Sequence, residues 1–140
     1  MVTLNVTVTG QGAIFKDSSP AISRMRQAII TEILQEGESR LDETLRPRPA
    51  GVYLSVAQAG RGKASTGYFR RSVHARQSAV GGTIESNVVY GPWLEGVSSR
   101  NATTRFKGYA SFRRTAQWLE KNRVKPIATK HVNAFMRKLR

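Results

Sequence analysis

Val2, Leu4, Val6 and Val8 alternate with Thr3, Asn5, Thr7 and Thr9. Successive side chains of a strand point to opposite faces, so this period-two pattern in β-branched residues predicts a half-buried strand, closed by Gly10-Gln11-Gly12. Its Thr and Asn face is expected to be wet or to meet a neighbouring subunit. Ser18-Ser19-Pro20 then reads as a helix start, with Ser19 as N-cap and Pro20 at the first helical position, where a missing N–H leaves no bond unmade. Ile22, Met25, Ile29, Ile33, Leu41 and Leu45 follow three, four or a multiple of these apart, which predicts one apolar stripe on a long helix ending near Arg46-Pro47. Gly37 interrupts it at a cost of about 1 kcal/mol relative to alanine, so a bend or a close contact is expected there. This helix is expected to cover a sheet.

Residues 47–67 carry Pro47, Pro49, Gly51, Gly60, Gly62 and Gly67 around an apolar island, Val52-Tyr53-Leu54-Ser55-Val56. A loop this long within a small domain is usually functional or disordered. The stretch reads either as an arm or long hairpin that orders on assembly, or as a solvated loop. Residues 68–76 and 83–90 are predicted strands flanking Ser78-Ala79-Val80-Gly81-Gly82, whose paired glycines would supply the positive φ of a hairpin turn. Val73 and Ala75 fall on one face, and Ser72, His74 and Arg76 on the other. With the N-terminal strand this makes a three-stranded antiparallel sheet.

Gly91-Pro92 stops the ladder, since proline has no N–H to donate, and the strand is expected to turn into a loop anchored by Trp93 and Leu94. Residues 98–104 read as a Ser/Thr/Asn loop. A helix follows over 110–122 with Phe112, Ala116 and Leu119 inward; Lys125-Pro126 breaks it, and Pro126 opens a last helix striped by Ala128, Val132, Phe135, Met136 and Leu139. The fold class is α+β: a small antiparallel β-sheet packed by one long α-helix, with C-terminal helices and long interface loops, in one domain over 1–140.

Charge narrows the partners. Lys+Arg number 23 against Asp+Glu 9, a formal net charge of +14, which calls for a polyanion or an acidic protein surface. From Arg100 onward Glu120 is the sole acid. Cysteine is absent, which removes disulfides, thiolate metal sites and cysteine nucleophiles. His74 and His131 lie on separate predicted elements, neither with a second ligand at metal spacing, and Glu85, Glu95 and Glu120 are isolated in sequence. Gly60-Arg61-Gly62-Lys63-Ala64-Ser65 lacks the full spacing of a phosphate loop. Neither catalysis nor a cofactor is expected. No run nears the roughly 18 apolar residues of a membrane helix, and Met1-Val2-Thr3-Leu4-Asn5 has no basic region before an apolar one, so a soluble, unsecreted protein is expected.

Two segments, in order, carry a family likeness: Thr66-Gly67-Tyr68-Phe69-Arg70-Arg71-Ser72-Val73 and Tyr90-Gly91-Pro92-Trp93-Leu94-Glu95-Gly96. A basic Thr-Gly segment before a strand ending in Tyr, an aromatic and Glu-x-Gly, with helices after it, resembles the neck or tail-completion proteins of long-tailed double-stranded DNA bacteriophages. The resemblance spans the chain from the first long helix to the C-terminus. It implies a non-catalytic structural virion protein, assembled in the host cytoplasm, that joins the head connector to the tail as a ring, a hexamer by the symmetry of the tail. Such a ring lines or surrounds the DNA channel and meets adjacent neck, head-connector, tail-tube or tail-terminator proteins. The chain departs from the pattern in Gly91-Pro92 before Trp93 and in its long basic tail.

On this resemblance Tyr53, Trp93, Glu95, Arg100, Arg105, Arg113 and Arg114 are candidate contacts between subunits or rings, and Arg61, Lys63, Arg70 and Arg71 candidate contacts to channel DNA. Glu95 would pair with an arginine of the next subunit and fix the angular register, or is simply solvated. Trp93 either closes the core or anchors an interface. The run Phe106-Lys107-Gly108-Tyr109-Ala110-Ser111-Phe112-Arg113-Arg114 reads as a protein interface, with Phe112 turned inward, or as a stacking platform for nucleic acid. The alternative to the neck is a basic, sequence-nonspecific nucleic-acid-binding protein acting alone or as a dimer. A toxin-like nuclease is a third reading, without a convincing His/acid site to support it.

Overall fold

In the computed structural model, which describes residues 1–9, 19–45 and 68–140, the chain runs β1 (Val2–Thr7), α1 (Pro20–Thr44), α2 (Tyr68–Ser72), β2 (His74–Gln77), β3 (Gly81–Ser86), α3 (Gly91–Glu95), α4 (Arg100–Thr104), α5 (Ser111–Asn122) and α6 (Val124–Lys138). The expected arm, with Tyr53, Arg61 and Lys63, and the Gly10-Gln11-Gly12 turn lie outside the described residues. The strands form one antiparallel sheet in the order β1-β3-β2, with Leu4 and Ala75 both opposite Ile84. The period of two therefore puts Val2, Leu4, Ala75 and Ile84 on the face toward α1, and Thr3, Asn5, His74, Arg76, Thr83 and Glu85 on the other. This is the expected α+β arrangement, a small sheet covered by a long helix.

Ser19 Oγ accepts the Ile22 N–H at 3.3 Å, and Pro20 opens α1. The foreseen stripe Ile22, Met25, Ile29, Ile33 and Leu41 is buried, and Ile30 and Leu34 are buried beside it. The stripe is wider than one row because α1 packs on the sheet and also on α5 and α6. Gly37 sits at the tightest approach: a Cβ there would lie 2.5 Å from Ile84 Cδ1 and 3.2 Å from Leu119 Cδ1. Arg40 stacks over the Trp118 ring at 4.8 Å, adding a cation–π contact between α1 and α5. Ile30, Leu41, Ile84 and Ile127 are fully buried where these layers meet.

Several sequence expectations fail locally, each for a tertiary reason. Residues 68–72 are helical rather than extended, although Tyr68 and Phe69 favour strands. Arg70 pairs with Asp42 of α1, and the Ser72 hydroxyl bonds to Phe69 O and Ser86 Oγ, contacts that require the chain to coil before β2 starts. Neither Gly81 nor Gly82 has positive φ. They begin β3, where a Cβ on Gly81 would strike Val6 O and one on Gly82 would lie 2.6 Å from Leu34 Cδ1, so the glycines serve close packing. The turn is closed instead by Ser78, whose N–H donates to Gly81 O at 2.8 Å and whose Oγ accepts the Gly81 N–H at 3.1 Å. β3 ends at Ser86, short of Tyr90. Gly91-Pro92 opens a helix rather than a loop, since proline suits a first turn, and residues 100–104 are likewise helical. On α6, Ala128, Val132 and Phe135 of the expected stripe are partly buried against the core beside the buried Ile127, while Met136 and, just past the helix, Leu139 lie outward.

Candidate functional site

Residues 91–114 form a platform built from two short helices, two tight loops and the start of α5. Gly96, at φ 92°, caps α3 by donating to Pro92 O and Trp93 O, and Gly108 has φ 81°. A Cβ on Gly96 would run into the carbonyl of Lys107, and one on Gly108 into the backbone of Gly96. Two chain segments thus touch backbone to backbone, which only glycine allows. Tyr109 N–H donates to Leu94 O at 2.6 Å beside this crossing.

Asn101 holds the loop from α3 to α4. Its Nδ2 donates to Trp93 O at 2.8 Å and Phe106 O at 2.7 Å, while its Oδ1 accepts the Ser98 N–H at 2.9 Å. Trp93 packs against Phe106 with tilted rings at 4.6 Å, Phe106 meets Tyr109 edge-on at 5.0 Å, and Trp93 Nε1 donates to Thr104 Oγ1 at 3.0 Å. The Glu95 carboxylate accepts from Phe112 N–H at 3.1 Å and Arg113 N–H at 2.9 Å. It caps α5 from outside, because Ala110 at the N-cap has no side-chain acceptor, and it sets a negative charge against the positive end of the helix. Arg105 and Ala110 have φ of 56° and 50°, and among the described residues they alone do so without being glycine. Each such residue costs about 1–2 kcal/mol, which the surrounding hydrogen bonds offset.

The outer rim is cationic. Arg100, Arg105, Lys107, Arg113 and Arg114 are all exposed. Between residues 88 and 119 the only carboxylate is Glu95, already bound to α5. Among the described residues, four of the seven other acids are engaged elsewhere: Glu32 with Lys130 at 2.5 Å and His131 at 2.6 Å, Glu36 with Arg123 at 2.7 Å, Asp42 with Arg70, and Glu85 with Arg76 at 2.8 Å and His74 at 3.0 Å. The hydrogen bonds from Lys130 and His131 hold the Glu32 carboxyl below the usual carboxylate range, against the opposing effect of burial. Among the described residues, no carboxylate pairs with the rim.

The predicted site residues divide accordingly. Arg100, Arg105, Arg113 and Arg114 are all exposed on the segment 91–114. Trp93 is half-buried inside it, neither in the main core nor bare. Glu95, expected as an inter-subunit partner or a solvated acid, has an intramolecular task. Arg70, expected at channel DNA, gives Nε and Nη2 to the Asp42 carboxylate at 2.6 Å each, with Arg71 exposed beside it. Tyr53, Arg61 and Lys63 lie outside the described residues. Sequence reasoning missed Asn101 and the Gly96/Gly108 crossing. The paired glycines bracketing an aromatic are the one signal that could have found it.

Among the described residues, no three His, Cys, Asp or Glu side chains are arranged to hold a metal ion, and no helix is long and apolar enough to cross a membrane. No family model matches the chain, and neither a characterised protein nor a solved structure is significantly similar to it.

Proposed function

We propose that the protein is a non-enzymatic structural component of a tailed-phage neck: a ring subunit, hexameric in the assembled virion, that joins the head connector to the tail around the DNA channel. The observation that carries this reading is that the two motif segments behind the resemblance pack on each other. The Phe69 ring lies 6.2 Å from Tyr90 and 6.3 Å from Phe112, and a Cβ on Gly91 would come within 3.2 Å of Phe69. Glu95 of the second motif then caps the helix that follows. The motif residues thus hold one rigid unit, and the glycine before Pro92 has a packing reason.

Exposed valines flank α3, Val89 at 96% and Val97 at 71%, beside half-open Tyr90. Apolar side chains at such a site suit a subunit covered by neighbours, and a ring needs heterologous contacts that close by rotation. Light scattering after size exclusion tests this on the intact chain and on Val89→Asp/Val97→Asp. A discrete ring for the parent and a smaller species for the variant are expected. A parent that stays monomeric at every salt concentration, alone and with phage heads and tails, contradicts the reading.

A further inference from the structure

We propose that the rim of Arg100, Arg105, Lys107, Arg113 and Arg114 binds the phosphate backbone of double-stranded DNA without reading its sequence. Three observations lead there. The first is sidedness. Within residues 93–114 the aromatic side chains turn inward, Trp93, Phe106 and Tyr109 onto one another and Phe112 into the core, while the cations turn outward. Single-strand binders stack bases on exposed aromatics; within residues 93–114 no aromatic is exposed, which favours contact to the duplex backbone.

The second is counter-charge. A second copy of the chain offers, among the described residues, only Glu38, Glu43 and Glu120 beyond the acids already engaged. That is too little to neutralise the rim by self-association. Duplex DNA carries about one charge per 1.7 Å of axis and releases counterions when arginines replace them. Exposed Ser99 and Thr103 stand among the cations as further phosphate donors. The third is preorganisation. The Asn101 bonds, the glycine crossing and the Glu95 cap fix the backbone under the rim before any partner arrives, which lowers the ordering cost of binding.

Such a surface works on a free protein as well as in a ring; in a ring around DNA it turns residues 100–114 toward the channel. Arg113 and Arg114 are thereby reassigned from neighbouring subunit to DNA, and the Arg70 position is not required. The test is fluorescence anisotropy of a short labelled random duplex with the intact chain across a salt series. Arg113→Gln/Arg114→Gln and, separately, Arg100→Gln/Lys107→Gln are compared with a charge-matched Arg137→Gln/Lys138→Gln control, with circular dichroism confirming the fold. Each rim variant is expected to bind about tenfold more weakly at low salt, with a log–log salt slope shallower by about 0.9 for every phosphate it no longer neutralises, while the control stays near the parent. The proposal is overturned if the control weakens binding as much as the rim variants, if the slope is unchanged, or if single-stranded DNA outcompetes the duplex. It is equally overturned if polyglutamate binds at the rim and duplex DNA does not, which would assign the surface to an acidic protein. Mass measured in the same samples reports ring formation separately, so loss of DNA binding and loss of assembly stay distinct.

Discussion

Glu95 does for α5 what Ser19 does for α1, except that it reaches the helix from another element. Replacing it by alanine leaves two backbone donors of α5 without acceptors and is expected to cost about 1–2 kcal/mol, read as a lowered urea midpoint. An unchanged midpoint would return Glu95 to the inter-subunit role. Glu32 makes a pH prediction. Its carboxyl is held below the ordinary range by Lys130 and His131, so its contribution is present in full above the unfolded glutamate value of about 4.3 and is lost as pH falls through the lowered folded value. Glu32→Gln should therefore be less stable than the parent near neutrality, and the two should converge in acid. A gap that persists in acid contradicts the assignment. At this scale the sequence was a good guide to residues that act on their own helix, such as Ser19 and Pro20. It was a poor guide to residues whose partners are distant, because Glu95 and Asn101 act on groups that no local pattern reveals.

At the scale of elements, legibility followed length and periodicity. α1 and α5 were readable because an apolar stripe repeats over three turns or more, and β1 because its alternation is strict. α2, α3 and α4 were not, since five residues are too few for a period and tertiary contacts decide their state. Glycine meant packing more often than turning: Gly37, Gly81 and Gly82 each admit a neighbouring element, whereas Gly96 and Gly108 require positive φ. Gly37→Ala separates these effects. It gains about 1 kcal/mol in helix propensity but forces Ile84 and Leu119 aside in a filled core, at a cost of about 1–3 kcal/mol. Net destabilisation in thermal melts is expected; a stabilised variant would mean that the contact between α1 and β3 is loose.

At the scale of the molecule, the acids serve internal contacts and the cations are left in surplus. Among the described residues five acids bind inside the chain, and most of the net charge of +14 lies from Arg100 onward, with five of its cations on a platform that internal hydrogen bonds hold still. Composition alone could announce that surplus. It could not say that aromatics and arginines of one run face opposite ways, because that depends on the Asn101 bonds and the two glycines. The proposed ring subunit around DNA would give the exposed valines and the basic rim different neighbours.

Native mass spectrometry of the purified protein across a salt series, with and without a short random duplex, tests this account most directly. It predicts a closed ring whose mass persists as salt rises and which sheds bound duplex on the way. A monomer or dimer that binds duplex at low salt, releases it at high salt and forms no ring, alone or with phage heads and tails, would contradict the neck assignment.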